Sequence, residues 1–220
     1  MSENNEAIFR EVDEEVRQEE FIKLWSRYGR YIVVVACLVV GAVATYEGYK
    51  YYQQQQAEAA GSVYFAALKK AGDGKFDDAS ASLAAINHPG FAVLAKLEQA
   101  ALLASKGETE KAVAAYDAFA ADPQNDAALA DLARIRAGYL LVDTQTPDQL
   151  LTRLGAFDKD TSLWRNETRE IFGLSAWRVK DYAMASRYFG AVAADVKASA
   201  GLKQRAQMML QLAAPNLPQK

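Results

Sequence analysis

The feature that most constrains this chain is an uncharged, apolar run that extends from Tyr31 to Tyr46, between Arg30 and Glu47. As a helix rising 1.5 Å per residue, the run covers about 24 Å, which is short of a hydrocarbon core of about 30 Å. Aromatic side chains suited to the headgroup regions extend it on both sides: Trp25, Tyr28 and Tyr31 before it, and Tyr46, Tyr49, Tyr51 and Tyr52 after it. The sequence therefore predicts a single, tilted transmembrane helix over residues 28–52.

The same run also has one feature of a cleaved signal peptide, because Ala42-Val43-Ala44 has the small-x-small form of a cleavage site. The preceding segment argues against cleavage. A signal peptide begins with a short basic region, whereas eight of the first 30 residues here are Asp or Glu. We expect an uncleaved anchor, and cleavage after Ala44 is the alternative.

Charged residues beside the run indicate its orientation. Lys50 is the one basic residue within about 20 residues after the run, whereas four precede it: Arg17, Lys23, Arg27 and Arg30. Because Lys and Arg are retained on the cytoplasmic side, we expect the N-terminus in the cytoplasm and the C-terminal bulk outside. Residues 1–27 then form an acidic cytoplasmic leader. Apolar residues recur at helical spacing along it and into the start of the span, and they predict a short amphipathic helix that leads into the membrane: Phe9, Val12, Val16, Phe21, Leu24, Trp25 and Tyr28.

Composition excludes several kinds of function. The net charge is −3 and no basic block occurs outside the membrane flank, so nucleic acid is not an expected partner. The one cysteine, Cys37, lies in the apolar run, so no disulfide can form within a monomer and no thiol can act in the exported domain. That domain must therefore be stabilised by packing alone.

The rest of the chain has the patterns of helices. Period-two strand patterns are absent outside the run, and blocks rich in Ala, Leu, Lys, Glu and Gln alternate with turn residues. From Tyr49 onward no Gly or Pro occurs until Gly61. We expect a helical linker over residues 53–60, an all-α domain over residues 61–214 and a disordered tail over residues 215–220.

A four-position pattern recurs in this domain with steps of 33, 38 and 35 residues. Its members are Phe76, Ala79, Leu83 and Ile86; Thr109, Ala112, Tyr116 and Phe119; Pro147, Leu150, Leu154 and Phe157; and Tyr182, Ala185, Phe189 and Val192. Nine residues before each start lies a small residue that would let two helices approach closely: Ala67, Ala100, Gly138 and Gly173. A period near 34 with two helices per unit predicts stacked helical hairpins.

These positions resemble the tetratricopeptide repeat pattern, in which a small residue in the first helix precedes aromatic, Ala and aromatic positions in the second. The fourth unit matches that pattern at Gly173, Tyr182, Ala185 and Phe189. The third unit departs from it, with Pro147 in the first aromatic position, and the family's early Trp is absent from every unit. The resemblance implies an all-α protein in which one transmembrane helix is followed by an α-solenoid of tetratricopeptide-like hairpins.

The whole layout of acidic leader, single span, Tyr- and Gln-rich exit and repeat domain resembles the membrane-anchored tetratricopeptide repeat-like proteins of the Gram-negative inner membrane. That family is known as an ancillary subunit of the Sec translocon, working beside a membrane-anchored periplasmic prolyl isomerase and chaperone. The resemblance implies protein partners, namely membrane translocon subunits, a periplasmic chaperone or prolyl isomerase, and emerging apolar polypeptide segments. It carries over no catalytic residue, cofactor or small-molecule substrate.

The residues that could carry chemistry give no pattern typical of a catalytic or metal site. His88, the only histidine, precedes Pro89 in a turn and has no cysteine to pair with outside the run. Asp158 and Asp160 are spaced like the start of a calcium loop, but the loop's glycine and closing glutamate are missing. Asp160-Thr161-Ser162 fits a helix cap better. We expect no enzyme activity, metal site or cofactor.

Two sets of residues are candidates for binding. In the predicted span, small side chains form a stripe at which another helix could approach closely: Cys37, Gly41, Ala44 and Gly48. In the exported domain, the groove-facing positions that the resemblance implies on the first helices are Leu97, Ala101, Ile135, Tyr139, Glu170, Leu174, Trp177 and Arg178. Two alternatives stay open. The small residues could be ordinary composition, and a one-residue change of register would bury the groove residues between helices.

The sequence thus predicts a single-pass protein of the bacterial inner membrane, with a cytoplasmic N-terminus and a periplasmic domain that binds proteins beside the Sec translocon. An adaptor for envelope assembly or cell division is the alternative among binding functions. An enzyme with an unrecognised carboxylate site is the alternative from another class.

Overall fold

The computed structural model describes the backbone of residues 3–217 and the side chains of Ile22 and of residues 25–217. The chain divides into two compact units, Met1–Ala59 and Ala60–Lys220. Every regular element of the described residues is helical, which confirms the predicted all-α fold class. The predicted apolar side of the leader, from Phe9 to Leu24, lies outside the described side chains and stays a prediction.

Nine α-helices follow one another in the described part of the chain. They are α1 (Glu3–Gly72), α2 (Phe76–Ala84), α3 (Pro89–Ser105), α4 (Thr109–Ala121), α5 (Ala127–Leu141), α6 (Pro147–Leu154), α7 (Arg165–Arg178), α8 (Tyr182–Ala194) and α9 (Ala200–Ala213). Short 3-10 turns cover Gly155–Phe157 and Ala214–Asn216. The second turn enters the predicted tail, of which residues 218–220 lie outside the described part.

The predicted span over residues 28–52 is part of α1. Among the described residues, this helix is the one that is long and apolar enough to cross a membrane, by length and composition. Apart from Gly29, all of the residues from 28 to 52 are exposed. The apolar side chains of this stretch are therefore accessible, unlike those of a buried core helix.

The helix does not end at Gly61, the first potential breaker after the span, but continues to Gly72. A Cβ atom at Gly61 would lie 3.1 Å from Cζ of Phe91 on α3. The missing side chain thus makes room for the Phe91 ring, and Gly61 serves close packing within an unbroken helix. The last turns of α1 form the first helix of the first hairpin, sharing a core cluster with α2 through Ala67, Ala79 and Leu83.

Within the hairpins, α3 packs against α4, α5 against α6 and α7 against α8, and the hairpins follow one another in chain order. Each second helix also packs on the next first helix, and α5, α7 and α9, all first helices, contact one another in sequence. This is the arrangement of an α-solenoid, in which each repeat buries its apolar side against its neighbours.

The recurring small residues mark the closest approaches within the hairpins. A Cβ atom at Gly138 would lie 2.5 Å from Cδ1 of Leu154, and one at Gly173 would lie 2.9 Å from the ring of Phe189. Ala67 and Ala100 are buried at the corresponding positions of the first two units. The predicted reason for these small residues is confirmed at Gly138 and Gly173, because a larger side chain has no room there.

Three of the four hairpin turns share one backbone motif. Gly74, Gly107 and Lys180 each adopt a left-handed conformation, with φ of +77°, +78° and +64°. The amide of Gly107 donates to Ala104 O at 2.9 Å and that of Glu108 donates to Leu103 O at 2.9 Å, which is the Schellman pattern of helix termination. The turns at Gly74 and Lys180 make the equivalent pair of bonds.

The helix cap predicted at Asp160-Thr161-Ser162 is wrong. Helix α7 begins at Arg165, and Trp164 takes the N-cap position without a side-chain hydrogen bond. The reason is the Arg165 guanidinium, whose Nη1 donates to the carbonyl oxygens of Asp160 and Ser162 at 2.9 and 3.5 Å. These bonds hold the segment as a turn ahead of the helix.

Candidate partner-binding surface

The first helices bury some of the eight predicted groove residues and leave others accessible. Leu97 and Ile135 are 4% and 2% exposed, and they lie in two different core clusters. Ala101 and Tyr139, which follow them by four residues, are half-buried. The expectation that Leu97 and Ile135 line an open groove is therefore corrected, because the register of α3 and α5 places both side chains between helices.

Glu170 is buried as well, and its carboxylate binds side chains from both neighbouring first helices. The hydroxyl of Tyr139 on α5 donates to Oε2 at 2.5 Å. From α9, Arg205 donates through Nε to Oε1 at 2.7 Å and through Nη2 to Oε2 at 2.9 Å. The structure thus brings Tyr139 and Glu170 together, but in a network that connects α5, α7 and α9 instead of in an open groove.

The network raises the pKa of two of its members, Tyr139 and Arg205. Burial, together with the adjacent Glu170 carboxylate, raises the pKa of the Tyr139 hydroxyl above its ordinary value, so Tyr139 remains a hydrogen-bond donor. The bonds to Glu170 also raise the pKa of the Arg205 guanidinium. A bidentate Arg–carboxylate pair with a third donor satisfies a buried charge, which would otherwise be costly.

The sequence prediction missed Arg205, although a signal for it was present. Arg205 lies 35 residues after Glu170, which is the step between the third and fourth units. Helix α9 is therefore a fifth first helix, and Arg205 occupies the position that Glu170 occupies in α7. The four-position pattern is defined on second helices, and the described residues after α9 form no second helix, so the pattern does not include Arg205.

Three predicted groove residues near the end of α7 differ in their surroundings. Leu174 and Trp177 are half-buried against the core cluster that contains Phe189, and the Trp177 ring meets the Tyr182 ring edge-on with centroids 5.0 Å apart. Arg178 donates from Nε to Val142 O at 2.9 Å and from Nη2 to Gln145 O at 2.7 Å. Its guanidinium therefore holds α7 to the turn before α6. Arg178 is also exposed, so its contact with a partner stays a prediction.

What remains accessible is a mixed surface that we call the α7–α9 face. It comprises Leu174 and Trp177 of α7 with Arg205, Met208 and Leu212 of α9. Arg205, Met208 and Leu212 are more than half exposed, and their spacing of three and four residues puts them on one side of α9. The Glu170–Arg205 bonds join this side of α9 to the Leu174 and Trp177 side of α7.

A neighbouring side of α9, which we call its outer side, carries polar residues. Gln204, Gln207 and Gln211 are exposed at spacings of three and four residues, so they form a polar strip. The apolar Met208 and Leu212 lie beside this polar strip, each one residue after a glutamine of the strip. They are the more informative candidates for partner contact.

The small-residue stripe of the span is open in this chain. Cys37, Gly41, Ala44 and Gly48 are all exposed, and a Cβ atom at Gly41 or Gly48 would meet no atom within 4 Å. A neighbouring helix could therefore approach the backbone closely at these positions.

The residues considered for chemistry have structural contacts. The His88 ring packs edge-on against Phe91, with centroids 5.8 Å apart. Both Asp158 and Asp160 accept hydrogen bonds from Arg169, at 2.7 and 3.0 Å. Among the residues that the structure describes, no group of three or more His, Cys, Asp or Glu side chains could hold a metal ion.

Comparison with known proteins agrees with this architecture. The family model for the tetratricopeptide repeat-like domain matches residues 23–213, which include all four units and α9. No curated protein and no solved structure matches the chain. Repeat domains of this kind are typically interaction scaffolds without catalytic activity. Because the family model covers most of its length, the chain belongs to the tetratricopeptide repeat-like domain family.

Proposed function

We propose that this protein is a membrane-tethered scaffold for protein–protein interaction, acting as an ancillary subunit of the Sec translocon that assists periplasmic chaperones with exported proteins. The observation that carries the proposal is the combination of an exposed apolar span in α1 with an open α7–α9 face in a repeat domain. The family supports protein partners in general. The layout of the chain supports the translocon and its chaperones in particular.

Tethering explains how such a scaffold works. An anchor confines the repeat domain to a membrane surface, which raises its effective concentration beside other membrane-bound proteins. Contacts that are weak in solution then become occupied. The α7–α9 face supplies the residue types that such contacts use, namely a large aromatic ring in Trp177, an arginine in Arg205 and an adaptable thioether in Met208.

The proposed topology has the N-terminus in the cytoplasm and the repeat domain in the periplasm. The excess of Lys and Arg before the span supports it. A periplasm-dependent reporter fused after Lys220 should be active, and the same reporter fused before Met1 should be inactive. The reverse result would contradict the topology, and a mature chain beginning at Thr45 would show that the span is a cleaved signal.

Affinity purification of the full chain from membranes in mild detergent tests the function. We expect translocon subunits and a periplasmic chaperone or prolyl isomerase to be recovered. Recovery of envelope-assembly or division proteins instead would favour the adaptor alternative. A saturable activity abolished by substitution of one Asp or Glu would favour an enzyme.

Substitutions in the span test whether the small-residue stripe contributes to the recovery of membrane partners. Gly41→Leu fills the small-residue stripe and should reduce recovery of membrane partners, whereas Val40→Leu, one position away in the same span, should not. Equal recovery with both variants would contradict a role of the stripe in helix packing.

A further inference from the structure

Two loops of the repeat domain present the most exposed large apolar side chains among the residues that the structure describes. Leu163, in the loop before α7, is 89% exposed, and Val196, in the loop between α8 and α9, is 87% exposed. Even in the apolar part of α1, no large side chain exceeds 68%. Isolated exposed aliphatic residues are common, so the relation between the two loops decides whether this pair is informative.

The two loops are fastened to each other. Arg165 donates from Nε to Asp195 Oδ2 at 2.5 Å and from Nη2 to Asp195 Oδ1 at 2.8 Å, and both side chains are only 10% exposed. Leu163 lies two residues before Arg165, and Val196 directly follows Asp195. The backbone amide of Lys197 also donates to Asp195 Oδ1, at 2.8 Å. We call these two segments, residues 158–165 and 195–198, the loop platform.

On the loop platform the acidic side chains have ion-pair partners, whereas the lysines have none among the described residues. The platform's three carboxylates all bind arginines: Asp195 binds Arg165, while Asp158 and Asp160 bind Arg169, and the Asp160 side chain stays 90% exposed. Its two lysines, Lys159 and Lys197, are exposed and have no ion-pair partner in the described part of the chain. The platform therefore presents two aliphatic side chains flanked by two unpaired positive charges.

We propose that the loop platform docks on an anionic lipid bilayer, with Leu163 and Val196 entering the interfacial region and Lys159 and Lys197 contacting the headgroup phosphates. Exposed apolar side chains beside lysines are the combination that binds the surface of an acidic membrane. The inference rests on the proposed anchoring, because an anchor raises the effective concentration of the repeat domain beside a bilayer. The Arg165–Asp195 pair keeps both loops in place, so docking requires no prior ordering of the loops.

Fluorescence quenching in proteoliposomes tests the proposal with the full chain. Thr161→Cys, in a Cys37→Ala background, places an environment-sensitive dye on the platform while leaving Leu163 and Val196 intact. Asp143→Cys places the same dye on the turn between α5 and α6, at the other end of the hairpins, as a matched control. The vesicles contain phosphatidylcholine alone or phosphatidylcholine mixed with phosphatidylglycerol, each with a nitroxide-labelled lipid as quencher.

With phosphatidylglycerol present, we expect roughly twofold or greater quenching at position 161 than at position 143. Quenching should fall in phosphatidylcholine alone and with Lys159→Gln combined with Lys197→Gln. It should be lost with Leu163→Gln combined with Val196→Gln. Equal quenching at positions 161 and 143 would overturn the proposal, as would a change at position 161 that requires added membrane proteins, which would indicate an acidic protein partner.

Alkaline extraction of the same vesicles separates the two proposals. If the chain is extracted, the anchoring is wrong and the docking inferred from it fails too. If the chain stays embedded while the dye at position 161 remains unquenched, the anchoring stands and only the docking is wrong.

Discussion

The ring of Phe189 on α8 lies directly over Gly173 on α7, so that a Cβ atom at position 173 would come within 2.9 Å of the ring atoms Cε1 and Cζ. Gly138 and Leu154 stand in the same relation in the preceding hairpin, and the two pairs have the same separation in sequence. Close approach of the two helices at a small residue is thus the repeated element from which these hairpins are built.

Gly173→Ala should destabilise the repeat domain. The added methyl group would force the Phe189 ring from its position, and overpacking of this kind lowers the free energy of unfolding by about 1 to 3 kcal/mol. Gly190→Ala is the matched control, because position 190 lies in the interior of α8 and a Cβ atom there meets nothing within 4 Å. That substitution should raise stability by up to about 1 kcal/mol through helix propensity. Thermal denaturation of the full chain in detergent compares the two, and equal effects would show that Phe189 yields freely.

Lys180→Gly should stabilise the protein. Lys180 adopts the left-handed conformation that glycine adopts at the equivalent positions of the first two hairpins, Gly74 and Gly107. In this conformation a residue with a Cβ atom lowers the free energy of unfolding by about 1 to 2 kcal/mol. Part of the gain is offset by the greater freedom of glycine in the unfolded chain, so an increase of about 1 kcal/mol is expected. Lys197→Gly, in a loop residue with ordinary backbone angles, should not stabilise. Chemical denaturation measures both, and a lower midpoint for Lys180→Gly would contradict the assignment.

The repeat pattern was sufficient to predict the all-α fold and the close approaches at Gly138 and Gly173, because both depend on short-range spacing along helices. The burial of Leu97 and Ile135 could not be predicted from this spacing. A change of one residue in register rotates a side chain by about 100° around the helix, which is enough to move it from a groove to the core.

Long-range pairs were beyond the pattern for a different reason. Arg165 and Asp195 are 30 residues apart, at the start of α7 and the end of α8, and neither occupies a position of the repeat pattern, so nothing in the spacing associates them. Arg205 could have been found from its step of 35 residues after Glu170. It was missed because the pattern was anchored on second helices.

The Arg165–Asp195 pair should give the protein a specific pH dependence. Hydrogen bonds from Arg165, and then from the Lys197 amide, hold the pKa of the Asp195 carboxyl well below its ordinary value. The unfolded chain protonates this carboxyl near pH 4, so the stabilisation is complete above that pH and is lost as the pH falls toward the depressed native pKa. The difference in unfolding free energy between wild type and Asp195→Asn should therefore be constant from neutral pH to about pH 5 and shrink below about pH 4. An Arg165→Met background removes the largest cause of the lowered pKa and leaves the Lys197 amide in place, so this shrinkage should become smaller. An unchanged shrinkage would assign the effect to another group.

Trp177→Ala should act mainly on stability. The indole packs against Tyr182 and the cluster that contains Phe189, so its removal leaves a cavity and lowers the free energy of unfolding by about 2 kcal/mol or more. Met208→Ala, at an exposed position of the α7–α9 face, should change stability by less than about 0.5 kcal/mol. Melting temperatures of the two variants decide the matter. An unchanged melting temperature for Trp177→Ala would show that the ring contributes nothing to the core and acts only on the α7–α9 face.

The central claim is that the α7–α9 face binds protein partners at the membrane, and site-specific photocrosslinking in intact bacteria tests it most directly. A photoreactive amino acid at Met208 reports on that face, and the same amino acid at Gln207 reports on the polar outer strip of α9. We predict that the probe at position 208 forms adducts with translocon subunits or a periplasmic chaperone, and that the probe at position 207 forms few. Absence of adducts at position 208, or equal adducts at both positions, would contradict the account.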